Sequence, residues 1–191
     1  MTTEKNASKL VTPEILCSYP HLFEAVDPFE LGTKKYSLQI MIPKTEKAFL
    51  AKMKAAILAA DEAKWGAKAA DIVKNLKVKH PVRDGDDSDV ENEYAKGCFF
   101  LSAKSKSRPG VVDKSMQQII DPDDIYPGCI IRAAINFYGF EVKSKKGIAV
   151  GLNNVMKVKD GEQIGGKASA EDDFSEFKSE SEETSEEGDV F

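Results

Sequence analysis

The sequence has few of the residues from which enzymes and metal sites are built. Only two of its 191 residues are histidines, His21 and His80, and only three are cysteines, Cys17, Cys98 and Cys129. The cysteines are widely spaced and form no CxxC pair, so a zinc site is not expected. The chain also has no GxxxxGKS/T, GxGxxG or HExxH motif, which excludes the common signatures of phosphate, dinucleotide and zinc-peptidase sites. We therefore expect a protein that is not an enzyme and that uses no cofactor and no metal.

Long apolar runs and a leader segment are missing as well. The run AAILAA at 55–60 is far shorter than the roughly 20 apolar residues that span a bilayer. The N-terminal MTTEKNASKL is polar and lacks the apolar stretch of a secretory signal. Unpaired cysteines suit a reducing compartment. These features predict a cytoplasmic protein with no membrane partner.

Charge is distributed unevenly along the chain. Residues 171–191 contain ten acidic residues and one lysine, a net charge of −9, while residues 1–170 have a net charge of +4. Such an acidic segment has too little apolar content to fold and repels itself. The preceding DGEQIGGKASA is typical of a linker. We therefore expect a folded domain at 1–160, followed by a linker and a disordered acidic tail at 161–191.

Hydrophobic periodicity predicts one early strand, one long helix and then mainly strands. YSLQIMIP at 36–43 alternates apolar and polar residues and ends in proline. Residues 44–66 have helical spacing, with Thr45 as the N-cap and Gly66 after the end. The remaining patterns are a short helix at 69–76, a polar loop at 80–93, strands at 94–110, 127–142 and 145–159, and a hairpin piece at 110–121. This order predicts a mainly β protein, a small barrel with a helix inserted between early strands.

The segment CIIRAAINFYGFEV contains the most informative strand pattern. Its odd positions from Cys129 to Phe137 are all apolar, whereas Arg132, Tyr138 and Phe140 occupy even positions. Successive side chains of a strand point to opposite faces, so one face is core and the other presents a cation and two rings. An aromatic stripe of this kind often marks a binding surface.

A second strand, YAKGCFFLSAK at 94–104, repeats the pattern with Phe100 and Lys104 on its polar face. Rings on which bases stack, interleaved with cations that contact phosphates, are what single-stranded nucleic acid requires. The adjoining loops add further cations: Lys106, Arg108, Lys143, Lys145 and Lys146. The alternative is that these rings are core residues buried between the barrel and the long helix.

On these segments the chain resembles the single-stranded-DNA-binding proteins of tailed phages and prophages. YSLQIMIP is similar to their early strand, VVD at 111–113 to their mid-barrel hairpin, and NFYGFEV at 136–142 to a segment with two DNA-stacking aromatics. LNNVMKVKDGEQIGG and the later EDDFSEF are similar to their last strand, linker and tail start. The resemblance extends from about Tyr36 to the end of the chain, and residues 11–32 match less clearly.

This resemblance implies an OB-fold, a five-stranded barrel with an inserted helix, and an acidic tail that ends in phenylalanine. Tyr138 and Phe140 match the stacking aromatics, and Arg132 matches a basic contact on the same strand. Where that family can have tryptophan this chain has Phe140, which offers a smaller stacking area. The resemblance further implies a role in phage DNA replication and recombination in the host cytoplasm, with strand annealing as an associated activity.

The tail is expected to regulate DNA binding, because a tethered polyanion competes with DNA for a cationic groove. By the resemblance, its end would also recruit a polymerase, a primase-helicase or a recombinase through Asp189, Val190 and Phe191. The simpler alternative is that the acidic residues only aid solubility, which leaves the terminal aromatic unexplained. Two rival functions remain at this point: an RNA-binding OB module, and a protein-interaction factor that binds no nucleic acid. The sequence leaves both a monomer and a homodimer open.

Overall fold

Eight β-strands and one α-helix are present in the part of the chain that the computed structural model describes. That part is residues 8–164 without 28–31, 67–79, 88, 91–92 and 143–144. The strands are β1 (Lys9–Val11), β2 (Ile15–Val26), β3 (Lys35–Pro43), β4 (Val82–Asp84), β5 (Cys98–Ser105), β6 (Gly110–Val112), β7 (Ile130–Val142) and β8 (Lys145–Lys159), and the helix is α1 (Lys47–Trp65). The predicted helix at 69–76 and the acidic tail lie outside the described residues.

Five of the strands close into a barrel. The ring runs β2, β3, β5, β8, β7 and back to β2. The β5–β8 pair is parallel and the other four pairs are antiparallel. The short strands β1, β4 and β6 add to β7, β5 and β8 respectively. This five-stranded closed barrel, with α1 between its second and third strands, confirms the predicted OB-type fold.

The strand alternation predicted for β7 and β3 is what fills the barrel. In β7, Ile131, Ala133 and Ile135 are completely buried, while Arg132 and Tyr138 on the opposite face are exposed. In β3, the predicted apolar face supplies Leu38, Ile40 and Ile42, which are also completely buried. Burying such side chains stabilises the fold by about 1.5–3 kcal/mol each. The core is therefore assembled from the inward faces of long strands.

Helix α1 covers one side of the barrel and packs against β7. Its buried face presents Phe49, Met53 and Ile57 at helical spacing, as predicted. Gly66 ends the helix as expected, with a positive φ of 56° and its backbone N–H donating to the Glu62 carbonyl. The predicted N-cap was wrong. Glu46 occupies that position without a side-chain hydrogen bond, because Thr45 lies in the preceding turn.

Other boundaries also differ from the prediction. The strand expected from Tyr94 begins at Cys98, since residues 93–95 form a single 3-10 turn. The expected polar loop contains β4, which pairs with β5. The hairpin piece is confirmed by the antiparallel bridge between Val112 and Gln118. Among the described residues, no helix is long and apolar enough to span a membrane.

Candidate nucleic-acid interface

A groove of about 500 Å³ crosses the outside of the barrel where β7, β8, β5 and β4 meet. Its wall contains three aromatic rings, those of Phe100, Tyr138 and Phe140. Residues 148–150 of β8 and Leu101, Ser102 and Lys104 of β5 also line it. The remaining wall residues are Lys35, His80, Pro81 and Arg83. We call this surface the ring groove.

Strand β7 places two rings on the same side of the barrel. Tyr138 and Phe140 are two positions apart, so both project from the outer face, while Phe137 between the sheet and the helix is buried. Tyr138 is 47% exposed. An aromatic side chain with about half its surface in solvent offers a face on which a base can stack.

Gly139 separates the two rings and lies against the end of α1. A Cβ atom at this position would approach the Lys64 Cβ to 2.5 Å and the Lys64 Cγ to 2.6 Å. Only glycine allows this close approach of helix and strand. The Tyr-Gly-Phe sequence therefore lets α1 lie against the strand that displays both rings.

Strands β4 and β5 supply the third ring and two cations. Arg83 pairs in register with Phe100, and its guanidinium carbon lies 5.2 Å from the centroid of the Phe100 ring. This distance is within the range of a cation–π contact. Lys104 lies four positions after Phe100, on the same outer face. One ring and two cations of these strands thus line the groove together, and the sequence pattern predicted Phe100 and Lys104 but not Arg83.

Two of the three cations that line the ring groove have no acidic partner among the described residues. Arg83 forms a salt bridge with Asp89 at 2.8 Å, and both side chains are more than half exposed. Neither Lys35 nor Lys104 forms a salt bridge with any acidic residue in the described part of the chain. An exposed ammonium group without a protein partner is available to a phosphate.

A charged turn holds β4 in place beside β5. The Lys44 ammonium lies 2.6 Å from a carboxylate oxygen of Asp84 and 2.6 Å from one of Asp86. The other Asp86 oxygen accepts from the Gly97 backbone N–H at 2.8 Å. Hydrogen bonds to Lys44 lower the pKa of both aspartates, and the two carboxylates raise the pKa of Lys44. This turn positions Arg83 next to Phe100.

Several of the predicted contact residues lie away from the ring groove. Arg132 is on the same strand face as Tyr138, but six positions away, which is about 20 Å along an extended strand. Its guanidinium lies 3.2 Å from Glu14. Arg108 lies over the Phe23 ring at 5.2 Å from the centroid. These side chains do not line the groove, and their proposed role requires a longer DNA path.

The remaining predicted cations are at the strand ends. Lys106 follows β5, and Lys145 and Lys146 begin β8. The Lys146 ammonium lies 2.8 Å from Glu141, which lowers the pKa of that carboxyl. Lys143 and the predicted tail contacts Asp189, Val190 and Phe191 lie outside the described residues.

Three groove residues were not predicted from the sequence: Lys35, His80 and Arg83. They come from two segments, the start of β3 and the stretch 80–83 that leads into β4, which meet only when the barrel closes. Arg83 lies in β4, within the segment that the sequence predicted as a polar loop, and PVRD at 81–84 shows no alternation of apolar and polar residues. A strand of three residues is too short to be recognised by period alone.

A five-stranded OB barrel with rings and cations across its strands defines an oligonucleotide-binding class of protein. A family model described as the single-stranded-DNA-binding protein of Enterobacter phage Enc34 matches residues 8–187. The chain therefore belongs to this phage single-stranded-DNA-binding protein family.

Individual relatives agree with this assignment. Putative protein p50 of Acyrthosiphon pisum secondary endosymbiont phage 1 is 32% identical over 171 residues, which is 86% of this chain and 91% of the relative. The single-stranded-DNA-binding protein of bacteriophage Enc34, solved in complex with single-stranded DNA, is 28% identical, with a TM-score of 0.72 over 84% of this chain and 91% of that one. Bacteriophage T7 gp2.5, a single-stranded-DNA-binding protein, shares the fold at 17% identity, with a TM-score of 0.60 over 96% of this chain and 98% of that one.

Proposed function

We propose that this protein coats single-stranded DNA in the ring groove during phage DNA replication and recombination. The observation that carries the proposal is the convergence of Phe100, Tyr138 and Phe140 with three cations in one groove on an OB barrel. The related Enc34 protein has been solved with single-stranded DNA, which supports the same ligand here. The protein acts in the host cytoplasm as a binding protein and not as an enzyme.

Binding combines two physical contributions. Bases stack on the exposed rings, and each stacked base contributes about 1–3 kcal/mol whatever its identity. Lys35, Arg83 and Lys104 contact the backbone phosphates, and binding releases the counterions that those phosphates had condensed. Beyond the groove, the strand continues over Lys106, Arg108, Arg132, Lys143, Lys145 and Lys146.

The acidic tail regulates this binding. The folded domain extends through residue 160, and residues 161–191 form the linker and tail with the net charge of −9 over 171–191. A tethered polyanion has a high effective concentration at the cationic groove and competes with DNA. When DNA displaces it, Asp189, Val190 and Phe191 recruit replication proteins such as a polymerase, a primase-helicase or a recombinase.

A fluorescence-anisotropy titration of labelled oligo-dT tests both the proposed DNA binding and its regulation by the acidic tail. The full chain and a chain that ends at Ala170 are compared across a salt series, with oligo-U as the RNA arm. We expect both chains to bind, the shorter one more tightly at low salt, and affinity to fall as salt rises. Absence of binding by both chains at low salt would refute the function. Equal affinity of the two chains at low salt would refute only the regulatory role of the tail and would leave the DNA-binding function standing.

A further inference from the structure

A second groove, of about 360 Å³, lies between α1 and the β4–β5 edge of the barrel. Unlike the ring groove, it is almost entirely apolar. Its walls come from one face of α1 and from β4, β5 and β8, and include Leu50, Met53, Ile57, Leu58, Val82, Phe99 and Ile148. Leu58 is 52% exposed at its rim. We call this surface the helix groove.

Two charged side chains of α1 line the helix groove, and one of them, Lys54, is exposed to solvent. The other, Asp61, is 5% exposed. Its Oδ1 atom is buried without a hydrogen-bond partner in the part of the chain that the structure describes. Burial raises the pKa of this carboxyl, while the charge of His80 has the opposite effect. A buried acceptor without a partner is unfavourable, so a ligand group that donates a hydrogen bond to it would be favoured.

The two grooves are neighbours. His80 and Ile148 line both of them. On β5, Phe100 faces the ring groove and Phe99 faces the helix groove, because neighbouring side chains of a strand point to opposite sides. A nucleotide next to those stacked on the rings is therefore close enough to place its base in the helix groove.

We propose that the helix groove is a nucleobase subsite that binds an unstacked guanine of the DNA strand through the Asp61 carboxylate. This inference rests on the proposed function, since the base must belong to a strand held in the ring groove. Extruded bases are commonly bound between apolar side chains, with hydrogen bonds to their Watson–Crick edge. Leu58 and Ile57 supply apolar side chains to contact the base, and Asp61 accepts hydrogen bonds from its Watson–Crick edge.

The chemistry of the carboxylate selects among the bases. An ionised carboxylate only accepts hydrogen bonds, so its complement is an edge that donates. Guanine offers two parallel donors, N1–H and the N2 amino group, which match the two oxygens of one carboxylate. Cytosine and adenine donate from one amino group beside an acceptor. Thymine offers one N–H between two carbonyl oxygens, which the carboxylate would repel. We therefore expect the subsite to bind guanine most tightly and thymine least tightly.

The test is a competition assay with the full chain and labelled oligo-dT of about 15 nucleotides. Competitors of the same length contain one central dG, dC, dA or deoxyinosine. A paired bidentate contact predicts about fivefold or greater tightening for dG over dT. Deoxyinosine lacks the amino group and should lose most of that gain. The Asp61→Asn variant should lose the dG preference, whereas Glu62→Gln, an exposed neighbour, should keep it.

The outcomes separate this inference from the function on which it rests. If no oligonucleotide binds, both are refuted. If all competitors bind equally, or if deoxyinosine matches dG, the subsite is refuted and the ring groove stands. A dG preference that persists in a folded Asp61→Asn protein also overturns the proposal. Should that variant not fold, the comparison of dG with deoxyinosine on the unaltered chain still decides whether the guanine subsite exists.

Discussion

At the scale of single residues, we expect the ring of Tyr138 to contribute to DNA binding. It is 47% exposed in the ring groove, so its removal should cost DNA affinity with little cost in stability. We expect Tyr138→Ala to weaken oligo-dT binding by about 1–3 kcal/mol, roughly 5–150-fold. Tyr138→Phe keeps the stacking face and should bind nearly as well. Anisotropy titrations measure both, with Tyr94→Ala as an exposed tyrosine outside the groove; an equal loss in that control would contradict the stacking role.

Because Gly139 has no side chain, α1 can pack closely against β7. A methyl group there would lie 2.5 Å from the Lys64 Cβ, so Gly139→Ala must displace α1 from β7. We expect about 1–3 kcal/mol of destabilisation, as for other overpacked sites, together with weaker DNA binding, because the rings on either side shift. Urea denaturation and oligo-dT titration measure the two effects. Adding Lys64→Gly removes the clash, and DNA binding should then recover; if Gly139→Ala alone behaves like the unaltered chain, the close approach is unimportant.

At the scale of elements, the Lys44 turn that anchors β4 should make stability depend on pH. Asp84 and Asp86 have pKa values lowered below the ordinary 3.8, so their contribution is present above that pH and is lost as pH falls through the lowered values. Lys44 has a pKa raised above 10.5, so its contribution is lost only as pH rises beyond that value. The turn should therefore stabilise the fold across the neutral range and weaken with salt.

Lys44→Met tests this expectation, since it keeps most of the side chain and removes the charge. The difference in urea midpoint from the unaltered chain should be widest between about pH 5 and 9 and should narrow below 3.8, where the aspartates become protonated. Lys47→Met, at an exposed position in the first turn of α1, is the matched control and should show no such profile. A difference that is constant with pH would mean that the side chain acts through packing alone.

The elements also show what sequence periodicity can and cannot predict. Long regular patterns, as in β3, α1, β7 and β8, were recognisable because each buries one face over many residues. The barrel strand β2 was not, because Tyr19 has a φ of 45° and register shifts interrupt its pairing with β3. Periodicity likewise identified the face on which Arg132 and Tyr138 lie, but not that Arg132 pairs with Glu14 and does not line the groove. Lys35 and Arg83 enter the groove only through barrel closure, which no local pattern encodes.

At the scale of the whole molecule, the number of phosphates bound should appear in the salt dependence. If Lys35, Arg83 and Lys104 are the main contacts, a plot of log affinity against log salt has a slope of about −2, given about −0.7 for each phosphate on a single strand. The chain ending at Ala170 is the appropriate species, because in the full chain salt also screens the tail and flattens the slope. Lys104→Ala should reduce the slope by about 0.7.

Arg132→Ala distinguishes a short DNA path from a long one. Arg132 pairs with Glu14 at 3.2 Å and lies about 20 Å from Tyr138 along β7. If the DNA strand is confined to the ring groove, removing the Arg132 side chain leaves the slope of log affinity against log salt unchanged. A slope near −6, with a smaller magnitude in Arg132→Ala, would instead mean that DNA wraps the barrel over the outlying cations. In that case each protein molecule covers more nucleotides. The salt series on the chain ending at Ala170, with and without Arg132→Ala, measures which of the two paths the DNA takes.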